Sequence, residues 1–200
     1  MVHYETVDKL IANIKEVTTG ITYNDEEMID FILDDSLFYL LNILKSSHNK
    51  PSMYDDMIIS RASEILRTNY GRNRICMLYN ILILYDERKD CYIADDIVND
   101  LIEYSRIVDT VDGLVDFMKT VNDHVNNQII PTIIECALDD LVNAVQNEMN
   151  KPSKYDLEII QAMNTKLNSL RTLDPKVLWK INTYELILDI YKNRRIMSDS

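Results

Sequence analysis

Apolar residues recur every three or four positions along most of this chain, which is the spacing of one face of an α-helix. In the first such stretch, residues 5–17, the face is formed by Val7, Leu10, Ile11, Ile14 and Val17. No stretch sustains the apolar–polar alternation that is typical of a half-buried strand. Further helices are predicted at residues 24–33, 37–44, 53–68, 72–84, 94–104, 110–121, 130–145, 153–170 and 175–192. The pattern predicts an all-α fold of about eight to ten helices, followed by a flexible tail at residues 193–200.

Short polar segments mark the ends of several of these helices. Asn24 or Asp25 is placed to cap the second helix, and the polar residues 34–36 separate it from the third. The third helix, residues 37–44, is apolar at almost every position and is therefore expected to be central and covered on more than one side. Residues 86–90 are predicted to form a charged connector, and residues 130–145 one continuous helix.

One seven-residue stretch occurs twice. Residues 49–55 have the sequence Asn-Lys-Pro-Ser-Met-Tyr-Asp, and residues 150–156 have Asn-Lys-Pro-Ser-Lys-Tyr-Asp, about 100 residues later. In both copies the serine is placed to cap a helix, and the aspartate three residues on is placed to accept a bond from the serine amide. Capping is the simpler explanation of the motif, and a binding role is the alternative.

The similarity between the two halves extends beyond the motif. At the same separation, matching residues are Leu37 with Leu138, Leu40 with Leu141, Asn42 with Asn143 and Leu66 with Leu167. Further out the separation grows by three residues, so that residues 6–8 match 110–112 and residues 82–84 match 186–188. Self-similarity of this kind indicates a repeat architecture. We predict one all-α unit over residues 1–200, with repeat 1 at about 5–90 and repeat 2 at about 108–192.

Composition and charge narrow the range of partners. The chain has 200 residues, of which 46% are hydrophobic, and its three Gly and four Pro are too few for a turn-rich β fold. The net charge of −12 disfavours binding to nucleic acid and to anionic membranes. An acidic surface serves solubility, and it also attracts a basic partner.

Cysteine usage and the absence of apolar runs bear on localisation. Cys76, Cys91 and Cys136 are widely spaced and odd in number, which suits a reducing compartment. The N-terminus lacks the pattern of a secretory signal, and no apolar run approaches the roughly 20 residues needed to span a bilayer. We therefore expect a cytoplasmic protein, with a nuclear location as the alternative.

The helix pattern resembles that of armadillo and HEAT-type repeats. Residues 35–44 form a leucine-rich helix, followed after a polar loop by an acidic-capped helix that contains Ala62. Residues 138–145 and the next helix, which contains Ala162, repeat the arrangement. The resemblance implies a short solenoid-like stack of helices with a binding face. Asn168 matches one rung of the asparagine ladder that holds peptides in armadillo grooves, whereas its counterpart is Arg67.

A second resemblance leads to a different fold. Residues 113–119, Gly-Leu-Val-Asp-Phe-Met-Lys, are followed by an apolar helix and are similar to the core segment of poxviral Bcl-2-like proteins. Residues 67–71 are loosely similar to a tyrosine–glycine turn found in some of them. This resemblance implies a single acidic bundle that antagonises host signalling or apoptosis. The internal duplication argues against it, since that fold has no internal repeat.

Candidate chemistry is sparse. His3, His48 and His124 are isolated, without the spacing of a zinc site, and the three glycines form no phosphate-binding loop. Acid pairs occur at residues 34–35 and 95–96, where helix starts explain them, and at Asp139-Asp140, which is predicted to lie on a solvated side of its helix. We therefore predict no catalytic residue, no metal and no cofactor. Acids brought together in a deep pocket would be needed for an enzyme.

Two groups of residues are candidates for partner contact. The first is a local basic cluster interleaved with one tyrosine, and it consists of Arg61, Arg67, Tyr70, Arg72 and Arg74. It is either a docking patch for an acidic partner or a solvated face with local pairing, for example to Glu64. The second is Trp179, which is either a buried anchor or, in a last helix without a following repeat, an exposed contact.

The sequence thus predicts a non-catalytic protein-interaction module, an adaptor or scaffold that binds a partner protein through a helical-repeat surface. A homodimer through the C-terminal helix is a possible form of that interaction. The alternative function is that of a viral Bcl-2-like antagonist.

Overall fold

The computed structural model describes residues 5–17, 23–46, 49–68, 74–122, 128–147, 152–170 and 175–198. Within 175–198, side chains are described only for residue 178 and residues 180–194. Over these residues the chain forms eleven helices and no strand, which confirms the predicted all-α fold. In chain order, they are α1 (Val7–Val17), α2 (Asp25–Asp35), α3 (Leu37–Lys45), α4 (Asp55–Thr68), α5 (Ile75–Arg88), α6 (Asp95–Ile107), α7 (Val111–Val121), α8 (Ile129–Cys136), α9 (Leu138–Gln146), α10 (Asp156–Ser169) and α11 (Pro175–Ser198).

Helix caps form where polar side chains precede the apolar pattern. Asn24 accepts a bond from the Glu27 amide at 2.9 Å, and the Glu27 carboxylate accepts one from the Asn24 amide at 3.0 Å, so that α2 begins with a capping box. Thr110 caps α7 by accepting a bond from the Gly113 amide at 3.1 Å. A Cβ on Gly113 would lie 1.9 Å from the Ile107 carbonyl oxygen, so this tight entry into α7 requires glycine.

The helix boundaries depart most from those predicted at three places. The stretch 130–145 is interrupted at Ala137, which has φ −138° and ψ 34°, in the same way that Ser36 separates α2 from α3 with φ −126° and ψ 13°. Neither break is made by a side-chain cap, so packing between the helices creates it, and the helix-favouring alanine concealed it in the sequence. The other two differences are extensions: α5 continues to Arg88 through the predicted connector, and α11 continues to Ser198 through the predicted tail.

The helices group into two compact units, Val2–Tyr104 and Ser105–Ser200. In the first unit, α3 packs against α1, α2 and α5, and α4 packs against α2 and α5. In the second unit, α9 packs against α7, α8 and α11, and α10 packs against α8 and α11. These five contacts correspond between the two units, with α3 and α9 in corresponding central places, and in the second unit α7 also packs against α8.

The central helices are covered on several sides, as the apolar run at residues 37–44 predicted. The buried residues of α3 are Leu37, Leu40, Leu41, Ile43 and Leu44, and those of α9 are Leu138, Asp140, Leu141, Ala144 and Val145. Asp140 is only 3% exposed, so its predicted place on a solvated side was wrong. Helices α7, α8 and α11 all pack against α9, so the side of α9 that helical periodicity predicted to face solvent is covered as well.

The repeated motif holds a buried carboxylate in the first unit. Asp55, which is 2% exposed, accepts bonds from the Ser52 amide at 2.8 Å, the Tyr85 hydroxyl at 2.9 Å and Arg88 Nη2 at 2.9 Å. Ser52 Oγ in turn accepts from the Tyr54 amide at 3.2 Å and donates to the Asp8 carboxylate of α1 at 2.8 Å. The predicted bond from the Ser52 amide to Asp55 is confirmed. Because α4 begins at Asp55, Ser52 Oγ bonds the Tyr54 amide just before the helix, and the two residues link the start of α4 to α1 and α5.

The second unit contains the same connections. Asp156 accepts from the Ser153 amide at 2.9 Å, Ser153 Oγ accepts from the Tyr155 amide at 3.1 Å, and Ser153 donates to Asp112 of α7 at 2.8 Å. In the first unit Lys15 Nζ lies 3.4 Å from the Tyr54 hydroxyl, and in the second Lys119 Nζ donates to the Tyr155 hydroxyl at 2.5 Å.

Tyr191 and Arg194 on α11 take the places that Tyr85 and Arg88 have on α5. The Arg194 guanidinium lies over the Tyr191 ring, 5.7 Å from its centroid, as that of Arg88 lies 5.2 Å from the centroid of Tyr85. Arg194 also donates to the Val145 carbonyl, which ties this part of α11 to α9. The match between α5 and α11 is therefore two residues further along than the predicted alignment of 82–84 with 186–188.

The network is tighter in the first unit than in the second. Asp55 is buried, and its carboxylate receives hydrogen bonds from both Tyr85 and Arg88. Asp156 is half-buried, and neither its Oδ1 nor the Tyr191 hydroxyl makes a hydrogen bond of ordinary geometry within the described chain. Burial, together with the neighbouring Asp55 and Asp156 carboxylates, raises the pKa of Tyr85 and of Tyr191 above the usual value for tyrosine.

Replacing Asp55 with alanine should lower the free energy of unfolding by about 3–5 kcal/mol, because Arg88 and Tyr85 would lose a buried acceptor. Asp56→Ala is the matched control: that neighbouring carboxylate is exposed, and its removal should change the free energy by less than about 0.5 kcal/mol. Urea unfolding followed by circular dichroism measures both. Equal effects of the two substitutions would contradict the assigned role of Asp55.

The raised pKa of Tyr85 makes stability depend on alkaline pH. Above about pH 10 the unfolded chain loses the tyrosine proton while the folded chain retains it, so the free energy of unfolding falls as pH rises. Tyr85→Phe should make this fall shallower by up to about 1.4 kcal/mol per pH unit between pH 10 and 11. Urea midpoints at pH 8 to 11 test it, with the exposed Tyr92→Phe as control. An unchanged slope in Tyr85→Phe would refute the prediction.

Candidate interaction surface

Helix α4 carries two of the predicted partner residues on the side that faces away from the core. Its buried side consists of Asp55, Ile58, Ile59, Ala62, Ser63 and Leu66. Arg61 points to α2, where its Nε donates to Asp30 Oδ1 at 2.5 Å and its Nη2 to Asp30 Oδ2 at 3.2 Å. Its Nη1 donates to Glu64 at 2.6 Å, which is the local pairing considered from the sequence. Asp30 and then Glu64 raise the pKa of Arg61.

The other described arginines of the cluster are also paired with acids on neighbouring helices. Arg67 donates to Asp96 Oδ2 from Nη2 at 2.7 Å and from Nε at 3.1 Å, and it lowers the pKa of Asp96. Arg74 Nη1 donates to Asp34 at 2.8 Å. The three arginines thus join α4 to α2 and α6, and residue 74 to α2, with their charges opposed by carboxylates. Tyr70 and Arg72 lie outside the described residues.

Two grooves flank α4. The first, of about 300 Å³, lies between α2 and α4 and is lined by Glu26, Ile29, Asp30, Met57, Ser60, Arg61 and Glu64. The second, of about 400 Å³, lies between α4 and the segment that precedes α6, and we call it the Tyr92 groove. It is lined by Asp56, Ile59, Ser60, Ser63, Arg67, Tyr92 and Ala94. Ser60 lines both grooves, so the outer side of α4 forms the ridge between them.

Large apolar side chains stand in solvent near this helix. Met53 is 82% exposed at the start of α4, and Tyr92 is 77% exposed beside the second groove. Ile102, on α6, is 54% exposed. Neither Tyr92 nor the groove was predicted from the sequence. Ile59, Ser60 and Ser63 follow the usual helical pattern of α4, and all of α5 separates them from Tyr92 in the chain. The sequence feature that could have indicated this site is the single aromatic residue Tyr92 between the charged residues 86–90 and 95–96.

The remaining predicted residues lie in the second unit. Asn168 is exposed near the end of α10. Trp179 lies in α11, and its side chain is outside the described part, so the choice between buried anchor and exposed contact stays a prediction. On the same helix Leu178 and Leu186 are 55% and 42% exposed. The grooves around α4 are lined by residues of the first unit.

Several titratable groups in the described residues are paired or buried within the fold. No group of three His, Cys, Asp or Glu side chains there could hold a metal ion. Burial, with Asp90 and Asp55 nearby, raises the pKa of the Cys91 thiol to about 11, which keeps it protonated and a poor nucleophile near neutral pH. Asp34 and Asp96 are tied to arginines by the pairs described above.

Comparison of the chain with protein-family models, curated protein sequences and solved structures finds no match. Within the described residues, none of the helices combines the length and the apolar character that crossing a membrane requires.

The pair of Arg61 and Asp30 should contribute modestly to stability, because both side chains are more than 40% exposed and are screened by water. A double-mutant cycle with Arg61→Ala and Asp30→Ala should give a coupling free energy of about 0.5–1 kcal/mol, decreasing in 1 M NaCl. The matched cycle of Arg61 with Glu64, three residues apart on one helix, should give about 0.3–0.5 kcal/mol. A coupling that salt leaves unchanged would contradict this account.

Proposed function

We propose that this chain is a non-catalytic protein-interaction module, an adaptor or scaffold that binds a partner protein through the outer surface of a helical repeat. The observation that carries the proposal is the exposed apolar surface near α4, where Tyr92 stands in solvent in the lining of one of the two grooves and Met53 stands in solvent just before the helix. Exposed apolar side chains grouped at concave surfaces are typical of protein interaction sites.

The hydrogen bonds of the buried polar residues support a role without catalysis. Asp55 of the repeated motif and Tyr85 of α5 could do acid–base chemistry, but they are bonded to each other beneath the surface, and Asp55 is also bonded to Arg88. Neither lines the two grooves. Acidic residues of a catalytic site would instead need to reach a substrate in a pocket.

The matching polar networks support descent of both units from one duplicated repeat. Capping serines, their aspartates and the tyrosine–arginine pairs make corresponding contacts in each unit. A single Bcl-2-like bundle gives no reason for such a correspondence, so we prefer the repeat interpretation and its implied role in binding, as in armadillo and HEAT-type proteins.

A second copy of the chain is one form that the partner could take. Leu178 and Leu186 are two turns apart on one face of α11, and both are exposed. Burial of such a stripe against its own copy would give the homodimer that the sequence suggested. Light scattering of the purified chain at increasing concentration separates this case from a partner of different sequence.

The proposal is tested by immobilising the full chain, capturing partners from an extract of the source cells and then titrating the purified partner by calorimetry. We expect a saturable complex of fixed stoichiometry, weakened at least tenfold by the double variant Met53→Ser/Tyr92→Ser, which keeps the buried networks. Asp100→Asn, on an exposed part of α6, is the control and should bind as the original chain does. If neither a captured protein nor a second copy forms a saturable complex, the proposal fails.

A further inference from the structure

We propose that the Tyr92 groove docks a segment of a partner protein that carries a large apolar side chain next to a lysine or arginine. This inference rests on the proposed function and specifies where on the first unit the partner binds and what chemistry it has.

The shape of the groove suits an apolar anchor. Its base is formed by Ile59 and Ser63, which are 4% and 5% exposed, and the Ser63 hydroxyl is already bonded to the Ile59 carbonyl at 2.7 Å. The base therefore presents little unsatisfied polarity. Ser60 and Ala94 are small, and the Tyr92 ring stands beside them with 77% of its surface in solvent. A volume of about 400 Å³ admits one large side chain of a partner, which would cover the ring.

The charges around the groove select a cationic neighbour for that anchor. Asp56 lines the groove, and Asp95 directly follows the lining residue Ala94. Both are exposed, and neither forms an ion pair with another described residue. Arg67, the cation of the lining, is neutralised by Asp96 at 2.7 Å. An acidic segment would meet two uncompensated carboxylates, whereas a lysine or arginine would be attracted by them.

The second unit shows that the groove is not part of the shared framework. Aspartate and serine of the repeated motif are the same in both units, but the groove positions differ: Asp56, Ser60, Ser63 and Arg67 correspond to Leu157, Gln161, Asn164 and Asn168. Larger side chains replace both serines. The contacts that hold each unit together do not require the small side chains of the groove, which frees these positions for binding.

This difference supplies the test variant. Ser60→Gln places in the groove the residue that α10 carries at the corresponding, exposed position, so the helix tolerates it while the space is filled. Its matched control is Gln161→Ser, the reverse exchange in the second unit. Tyr92→Ala is a second variant at a fully different point of the groove, and circular dichroism with urea unfolding verifies that each variant is folded.

The experiment selects binders from an unbiased library of peptides displayed on phage, with the full chain as bait. Enriched peptides are synthesised and their affinities measured by fluorescence polarisation. We expect peptides with a large apolar residue beside lysine or arginine. Their dissociation constants should rise at least tenfold with Ser60→Gln and with Tyr92→Ala, and severalfold with Asp56→Asn/Asp95→Asn or with 500 mM in place of 50 mM NaCl. Gln161→Ser should leave them unchanged.

Three results would overturn the inference: no enriched peptide, enriched peptides of acidic character, or peptides that bind Ser60→Gln and Tyr92→Ala as tightly as the original chain. In the last case the protein still binds peptides at another surface, so the proposed function stands and only the location is wrong. Failure of the proposed function itself is recognised separately, by the absence of any saturable complex with a captured protein or a second copy.

Discussion

The buried carboxylate of Asp55 is the group on which the first unit depends. An ionised carboxylate can remain beneath the surface when donors satisfy it, and here a backbone amide, a tyrosine hydroxyl and an arginine do so. Those donors come from the loop before α4 and from α5, while Ser52 extends the connection to α1. Asp55 and Ser52 thereby fix the relative positions of α1, α4 and α5. Apolar contacts alone would specify these positions less strictly, because they are not directional.

The second unit shows how far this arrangement can vary while the helix contacts persist. Asp156, Ser153 and Asp112 make the corresponding bonds, yet Asp156 is half-buried and its contact with Tyr191 is looser. The framework residues are the same in both units, and the surface residues of α4 and α10 differ. Such a division is expected if the interior is constrained by packing and charge burial and the outer faces are available for different contacts.

Ion pairing of the arginines around α4 changes the net charge that this surface presents to a partner. In the sequence, Arg61, Arg67 and Arg74 form a basic cluster in an acidic chain. In the folded unit each of them meets a carboxylate from a helix that the sequence does not place beside it, so the positive charge is largely offset and the unpaired charges nearby are negative. The chemistry expected of a partner is reversed by tertiary contacts alone.

The sequence by itself determined the helical class, most helix starts, the central place of α3 and the bond between serine and aspartate in the repeated motif. These features depend on periodicity and on side chains that bond their own neighbours along the chain. Tertiary structure alone decided the break at Ala137, the burial of Asp140, the partners of the arginines, the two-residue shift between α5 and α11, and the Tyr92 groove. Each of these features depends on contacts between residues of different helices. The local pattern of apolar and polar residues in the sequence does not specify which helix packs against which side of another.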